Sequence, residues 1–279
     1  MKKALTLSII IPVYNEQDYL ALCLDAIEKQ NLKPDEVIVI DNNSTDNTLK
    51  IAKKYPFVKI INEKKQGALF ARTTGFNAAK SDIIGRIDAD TRIEPNWTER
   101  VIEDFQDASV AAITGSSHFY DMPLSPWNHL LEDFFKNMLY KYENNFPFLF
   151  GANMAIRKSA WDKIEKSLCQ DTYIFEDADM AIHLRLINEK ILYDTKLRSG
   201  MSARRFSDNP AKFHRYIRLQ SITYKNHGMH SIGSGVAIAA YGLGYMIGRP
   251  LILAYDPKTN KRSLKKLIKP ETARPHPFD

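Results

Sequence analysis

At 279 residues with 44% hydrophobic side chains, the chain can bury a sizeable core, as one large domain or two ordinary ones. Its two cysteines, Cys23 and Cys169, are too few for a disulfide framework or a thiolate metal cluster; both lie among apolar neighbours, which fits free thiols in a reducing compartment. The net charge of +6 is moderate and uneven, with seven basic against three acidic residues from Asp256 onward, and it outlines no nucleic-acid-binding stripe.

Lys2 and Lys3 followed by Leu5–Val13 imitate the start of a signal peptide. Pro12 and the polar Tyr14-Asn15-Glu16-Gln17 follow at once, without a small-residue cleavage site, so Leu5–Val13 reads as a first buried strand of a cytosolic protein. A helix to about Lys29 carries Leu20, Leu24 and Ile27 at helical spacing. Glu36–Ile40 is a second strand closing on Asp41, and Asn42-Asn43-Ser44-Thr45-Asp46 are turn and cap formers ahead of a helix to Lys54. Val58–Asn62 is a third strand. The helix Gly67–Ala79 carries small residues, including Ala71 and Gly75, that let it lie close to a sheet or a ligand.

The stretch Ile83-Ile84-Gly85-Arg86-Ile87-Asp88-Ala89-Asp90-Thr91 is a contiguous apolar run, the mark of a strand buried on both faces, that ends in two carboxylates. Ligands bind at the strand-exit edge of open α/β sheets. Two carboxylates this close repel unless a cation separates them, and hard divalent cations take oxygen ligands. A helix from Pro95-Asn96 and a strand Val110–Gly115 continue the alternation, which predicts a mainly parallel sheet with helices on both faces. Met122–Phe150 breaks the rhythm with a helix rich in Trp127, Phe134-Phe135 and Tyr142. Phe150–Ile156 returns to strand, Ser159–Asp162 looks like a capping box, and Phe175-Glu176-Asp177-Ala178-Asp179 opens an acidic helix start. Ile191–Asp194 and Arg198–Ala203 are late strands, and Phe213–Asn226 is a basic helix.

Six motifs in one order, Ile11–Glu16, Asp41–Asp46, Gly67 with Arg72, Asp88-Ala89-Asp90, Gly151–Ala155 and Glu176-Asp177, resemble the family 2 glycosyltransferases, inverting enzymes of the GT-A fold. The resemblance covers about Leu5 to Arg205. It implies a GT-A domain over 1–206, with a nucleotide-sugar half at 1–120 and an acceptor half at 121–206, followed by a helical region at 207–279. It also implies that Pro12, Tyr14, Asn15, Glu16, Asp41 and Asn43 cradle the nucleotide. Asp41 would accept a base N–H, which favours uridine, guanosine or thymidine donors and does not choose among them.

Arg72 would neutralise ribose-side or diphosphate charge. Asp90, with Asp88 at the ribose or a metal-bound water, would hold Mn2+ or Mg2+. Asn153 and the pair Arg204 and Arg205 belong to the expected substrate contacts. Asp177 is the expected general base, with Glu176 its competitor and Asp179 a weaker one. The Gln-x-x-Arg-Trp motif of processive synthases has no counterpart around Phe213–Gln220, which argues for single-sugar transfer. The acceptor would be a glycan or a lipid-linked molecule.

Ile232–Tyr255 is mostly apolar and as a helix would run about 35 Å. Five glycines and Arg249-Pro250 argue against spanning, and a basic tail prefers the nucleotide-sugar side. The expectation is peripheral attachment to an anionic membrane surface, with a helix packed on the catalytic domain as the alternative. A nucleotidyltransferase would need a glycine-rich basic loop where Tyr14-Asn15-Glu16 stands, and a dehydrogenase would need Gly-x-Gly-x-x-Gly after a strand. A sugar-nucleotide-binding or membrane scaffold protein that has lost catalysis is the remaining alternative; Asp88, Asp90 and Asp177 speak against it.

Overall fold

The computed structural model describes residues 4–122, 148–171, 173–229, 232–256 and 261–262. The aromatic helix expected within Met122–Phe150 and the basic tail fall largely outside them. An eight-stranded sheet in the order β3-β2-β1-β4-β7-β6-β8-β5 forms the centre. Its strands are β1 (Leu7–Val13), β2 (Glu36–Asp41), β3 (Val58–Asn62), β4 (Ile83–Arg86), β5 (Arg92–Ile93), β6 (Val110–Phe119), β7 (Met154–Arg157) and β8 (Lys190–Met201). The helices are α1 (Leu20–Glu28), α2 (Thr48–Ala52), α3 (Ala68–Ala78), α4 (Trp97–Asp104), α5 (Lys158–Ile164), α6 (Glu176–Leu186), α7 (Pro210–Asn226) and α8 (Ile232–Leu253). A two-stranded ribbon, β9 (Tyr255–Asp256) with β10 (Lys261–Arg262), follows α8.

Strand alternation divides the core into two layers. Ile9 and Ile11 of β1 point to the face covered by Leu20 and Leu24 of α1 and Trp97 of α4. Ile10 points to the other face, with Phe76 of α3, Trp161 of α5 and Met180 of α6. Each fully buried isoleucine contributes about 1.5–3 kcal/mol. The small residues of α3 act as expected: a Cβ on Gly75 would lie 2.7 Å from Ile40 Cδ1, so glycine lets the helix seat this low on the sheet without displacing the Ile40 side chain.

The sheet is mainly parallel, as expected, and β6 pairs with β8 in parallel as well; among its described strands only β7 and β5 run against the rest. β1, β2, β3 and β4 run parallel, but β7 is antiparallel to both β4 and β6, and β5 is antiparallel to β8. β4 and β6 both leave the sheet at one edge, and β7 starts from that same edge. A strand that starts where its neighbours end must run backwards. The fourth strand ends at Arg86, short of the acids, because a turn closed by Thr91 N–H to the Asp88 carbonyl takes over. The two late strands are one, β8, interrupted by a bulge that shifts the pairing from Asp194–Gly115 to Arg198–Ser116. The expected capping box does not form. α5 starts directly from β7 at Lys158, whose N–H bonds to the Asp82 carbonyl, and Ser159 falls inside the helix.

The apolar segment near the C-terminus forms one helix, α8, with Pro250 in its last turn. One side packs on the 3-10 turn Arg204–Ser207 and on α7, with Phe213 and Tyr245 stacked at 4.2 Å. None of the described helices is long and apolar enough to cross a membrane.

Candidate active site

The carboxyl ends of β1, β2 and β4, the start of β7 and the end of β8 all meet at one edge of the sheet. That topology brings the separated motifs together. The loops after β1 and β2 are stitched to each other: Asn15 Oδ1 accepts the Thr45 N–H at 2.8 Å, and the Asn15 N–H donates to Ser44 Oγ at 3.0 Å. Asn15 and Asn43 hold positive φ, which asparagine tolerates better than most residues. Asp41 is buried, with the Ser44 N–H 3.3 Å from its Oδ1. Asn43 Nδ2 donates to the Lys64 carbonyl, while Pro12 and Tyr14 are half-buried beside them.

Arg86, the last residue of β4, is the hub. Its Nη2 donates to Glu176 Oε1 at 3.0 Å and lies 3.3 Å from Asp88 Oδ1. One guanidinium therefore joins the strand-exit acids to the acidic start of α6, 90 residues away in sequence. Gly151 makes room for it, since a Cβ there would stand 2.1 Å from Arg86 Nη1. Arg86 Nη1 and Nε are buried without a hydrogen-bond partner among the described residues. Asp177 Oδ2 accepts the Gly151 N–H at 2.9 Å, which fixes the carboxylate beside the glycine that Arg86 packs against. Burial, then the adjacent Glu176 charge, push the Asp177 carboxyl above the usual range. Glu176 goes the other way: burial works against its charge, but Arg86 and then Arg72 outweigh it and hold the carboxyl low.

Asp90 lies in a second ion-paired group. Arg204 Nε is 2.8 Å from Asp90 Oδ2, and the same guanidinium grips Glu16 through both terminal nitrogens at 2.7 and 2.9 Å. It also covers the Tyr19 ring. Burial pushes Asp90 up to about 6 despite Arg204, with Glu16 and Asp88 adding to the rise. Asp88 is the open member, with 41% of its side chain exposed.

Other expected site residues sit deeper. Arg72 is fully buried; its Nη1 donates to the Glu176 carbonyl at 2.8 Å and thereby ties α3 to the start of α6. Asn153 is also fully buried. Its Nδ2 donates to the Ser116 and Leu197 carbonyls, and its Oδ1 accepts the Trp97 Nε1–H at 2.7 Å, so it clips the sheet together at the β8 bulge. Arg205 lies over the Tyr216 ring at 3.9 Å. Two contributors escaped the sequence reading, Arg86 and Asp121. Buried Asp121 accepts the Ser202 hydroxyl at 2.5 Å and the Ala203 N–H at 2.9 Å, holding the turn that presents Arg204. Arg86 could have been found as a lone charge inside a buried apolar strand, which demands a partner.

The profile described as Glycosyl transferase family 2 matches residues 8–165, more than half the chain. The chain belongs to this family. The glycosyltransferase is similar to glycosyltransferase GlyG of Streptococcus pneumoniae, at 24% identity over 230 residues, covering 80% of this chain and 69% of that protein. It is 32% identical over 119 residues to glycosyltransferase AglE of Haloferax volcanii, covering 40% of this chain and 39% of that protein. The fold matches the mannosyltransferase PcManGT of Pyrobaculum calidifontis, solved with GDP-mannose and Mn2+. The TM-score is 0.64 at 18% identity, over 96% of this chain and 79% of that one. The GT-A architecture is thereby shown for this glycosyltransferase.

Proposed function

We propose that this glycosyltransferase moves a single sugar, with inversion, from a uridine, guanosine or thymidine diphosphate sugar to an acceptor hydroxyl, in the making of a cell-envelope glycan or glycolipid. The observation that supports the reading is the Arg86 bridge, which pairs with both Asp88 and Glu176, the neighbour of Asp177. The acceptor oxygen attacks the anomeric carbon as its proton passes to Asp177. The bond from that carbon to the diphosphate oxygen breaks, and the leaving diphosphate keeps the electron pair. Attack from the face opposite the leaving group inverts the centre and needs no covalent sugar–enzyme intermediate.

The donor set fits a hard divalent cation. Glu16, Asp88, Asp90, Glu176 and Asp177 offer carboxylate oxygens, with the guanidiniums of Arg86 and Arg204 ion-paired among them. Asp90 and Asp88 would hold Mn2+ or Mg2+, which when bound stabilises charge on the departing diphosphate. The buried Arg86 Nη1 and Nε, without a hydrogen-bond partner among the described residues, suit donation to a phosphate or sugar oxygen. Arg204, ion-paired with Asp90 and Glu16, would supply positive charge for the diphosphate beside those acids. PcManGT, which shares the fold, was solved with a nucleotide sugar and Mn2+, and this supports the donor class.

On α8, Leu243, Met246 and Ile247 are each more than half exposed. Together with the basic residues that follow in sequence, they support peripheral attachment to an anionic membrane. Co-sedimentation with anionic liposomes, lost in Leu243→Ser/Met246→Ser, tests this. A protein that ignores such liposomes ends the attachment reading.

The test of function is a thermal-shift panel of UDP-, GDP- and dTDP-sugars with and without Mn2+. One nucleotide class raises the melting temperature, more so with Mn2+, and Asp90→Ala loses the metal-dependent part. No shift with any class refutes the proposal. Binding without transfer to any envelope glycan extract favours a sugar-nucleotide-binding protein without catalysis.

A further inference from the structure

Behind the acidic start of α6 lies a second group of ligand-type side chains that the proposed reaction does not use. Cys169 follows the turn after α5, Asp179 is on α6, and His227 ends α7. Their ligand atoms all lie within 4.8 Å of one another. Cys169 Sγ is 3.6 Å from His227 Nε2, and that nitrogen is 2.7 Å from Asp179 Oδ1. Tetrahedral Zn2+, with bonds of about 2.3 Å to sulfur and about 2.0–2.1 Å to nitrogen, separates such atoms by about 3.6 Å. The nitrogen and carboxylate oxygen would have to part by only about half an ångström to become co-ligands.

The outer contacts are also those of a built site. Asp179 is fully buried, and its other oxygen, Oδ2, accepts the Cys169 N–H at 3.0 Å, which aims Oδ1 at the histidine. His183 packs edge-on against the His227 ring at 4.9 Å, and its Nδ1–H donates to the Asp179 carbonyl at 2.9 Å and lies 3.3 Å from Oδ1. Such partners fix ligand orientation in metal sites. Cys169 is half-buried, so a cation can reach the cluster from solvent. Metal binding must displace the thiol proton, because burial and then the neighbouring Asp179 push Cys169 up to about 11.

We propose that Cys169, Asp179 and His227 form a site for a borderline-soft divalent cation, Zn2+ by preference, with a fourth position left to water. Sulfur, imidazole and carboxylate together suit zinc, whereas the all-oxygen group at Asp88 and Asp90 suits Mn2+ or Mg2+. The sequence excluded a cluster of several thiolates, and this site needs only one. A cation here pins the start of α6, two residues beyond Asp177, to the end of α7 and to the segment after α5. The inference does not depend on the transfer reaction.

Co2+ titrated into the full-length protein tests it, because a thiolate-bound cobalt gives a charge-transfer band that an all-oxygen site cannot. One equivalent per chain should develop the band, and added Zn2+ should bleach it. Cys169→Ser and His227→Ala should abolish the band, and Asp90→Ala should keep it. Zn2+ should raise the melting temperature of the parent chain and not of Cys169→Ser. If Cys169→Ser fails to fold, Cys169→Ala serves in its place. The proposal is overturned if no band appears, if it survives in the Cys169 variant, as a site at Cys23 would allow, or if Asp90→Ala removes it.

Discussion

Replacing Arg86 with methionine strands Glu176. Arg86 and Glu176 expose only 7% and 12% of their side chains, so their 3.0 Å ion pair is shielded from water. Removing one partner of such a pair costs about 3–5 kcal/mol, because the other charge stays buried and unpaired. For a chain of this size that corresponds to a fall in melting temperature of about 6–20 °C. Arg72 compensates only in part, since it donates to the Glu176 carbonyl and acts on the carboxylate through its charge alone. The loss depends on pH with a defined sign. Arg86 holds the folded-state carboxyl of Glu176 low against burial. The pair therefore contributes fully above the unfolded glutamate pKa of about 4.3, and its contribution fades as pH falls through the lower folded value. Differential scanning fluorimetry from pH 3 upward should show a constant gap between the parent and Arg86→Met near neutrality, closing in acid. Adding Glu176→Gln should restore most of the stability by removing the stranded charge. A single variant within about 0.5 kcal/mol of the parent, or a double variant no better than the single, would refute the hub.

Asp177→Asn should lower turnover by about 10²–10⁴-fold while leaving the donor-induced thermal shift intact; retained turnover would move the base to Glu176. In the parent enzyme, turnover should fall with acid along a limb centred near 6, the value to which burial and then Glu176 push Asp177, because the base must be deprotonated. A profile flat to pH 4 would contradict that. Gly151→Ala drives a methyl into the Arg86 guanidinium and should cost about 1–3 kcal/mol in stability, together with most of the activity, in melting and transfer assays. Asp121→Ala frees the Ser202–Ala203 turn and should raise the KM for the donor more than it lowers kcat, with about 1–3 kcal/mol lost in stability.

The strands of the parallel half were legible because contiguous branched residues have few other uses, and the acids of the site were legible because each stands at a strand exit or a helix start. Their wiring was not. Arg86 looked like one more residue of a buried run, and only the folded sheet shows that the start of α6 lies within its reach. Asn153 stood in a motif associated with substrate, yet its amide answers carbonyls left open by the β8 bulge, a need that exists only once β6 and β8 pair out of step. The reversal of β7 had the same origin. Local periodicity marks a strand, but its direction depends on where the preceding excursion leaves the chain.

Glu176 and Asp177 show how neighbours of the same chemistry come to differ. They begin one helix, and the sequence left open which of them takes the proton. Glu176 faces Arg86, with Arg72 close behind, and is held in its charged form, a weak base with Oε1 engaged by Arg86. Asp177 has backbone N–H partners, those of Gly151 and Ala178, and bears the charge of Glu176 beside it. A carboxylate made reluctant to stay ionised gains more from accepting a proton near neutral pH. Arg86 lowers both carboxyls, yet at Asp177 burial and then the charge of Glu176 outweigh it, and this division favours Asp177 as the base, with Glu176 as the group that keeps Arg86 in place.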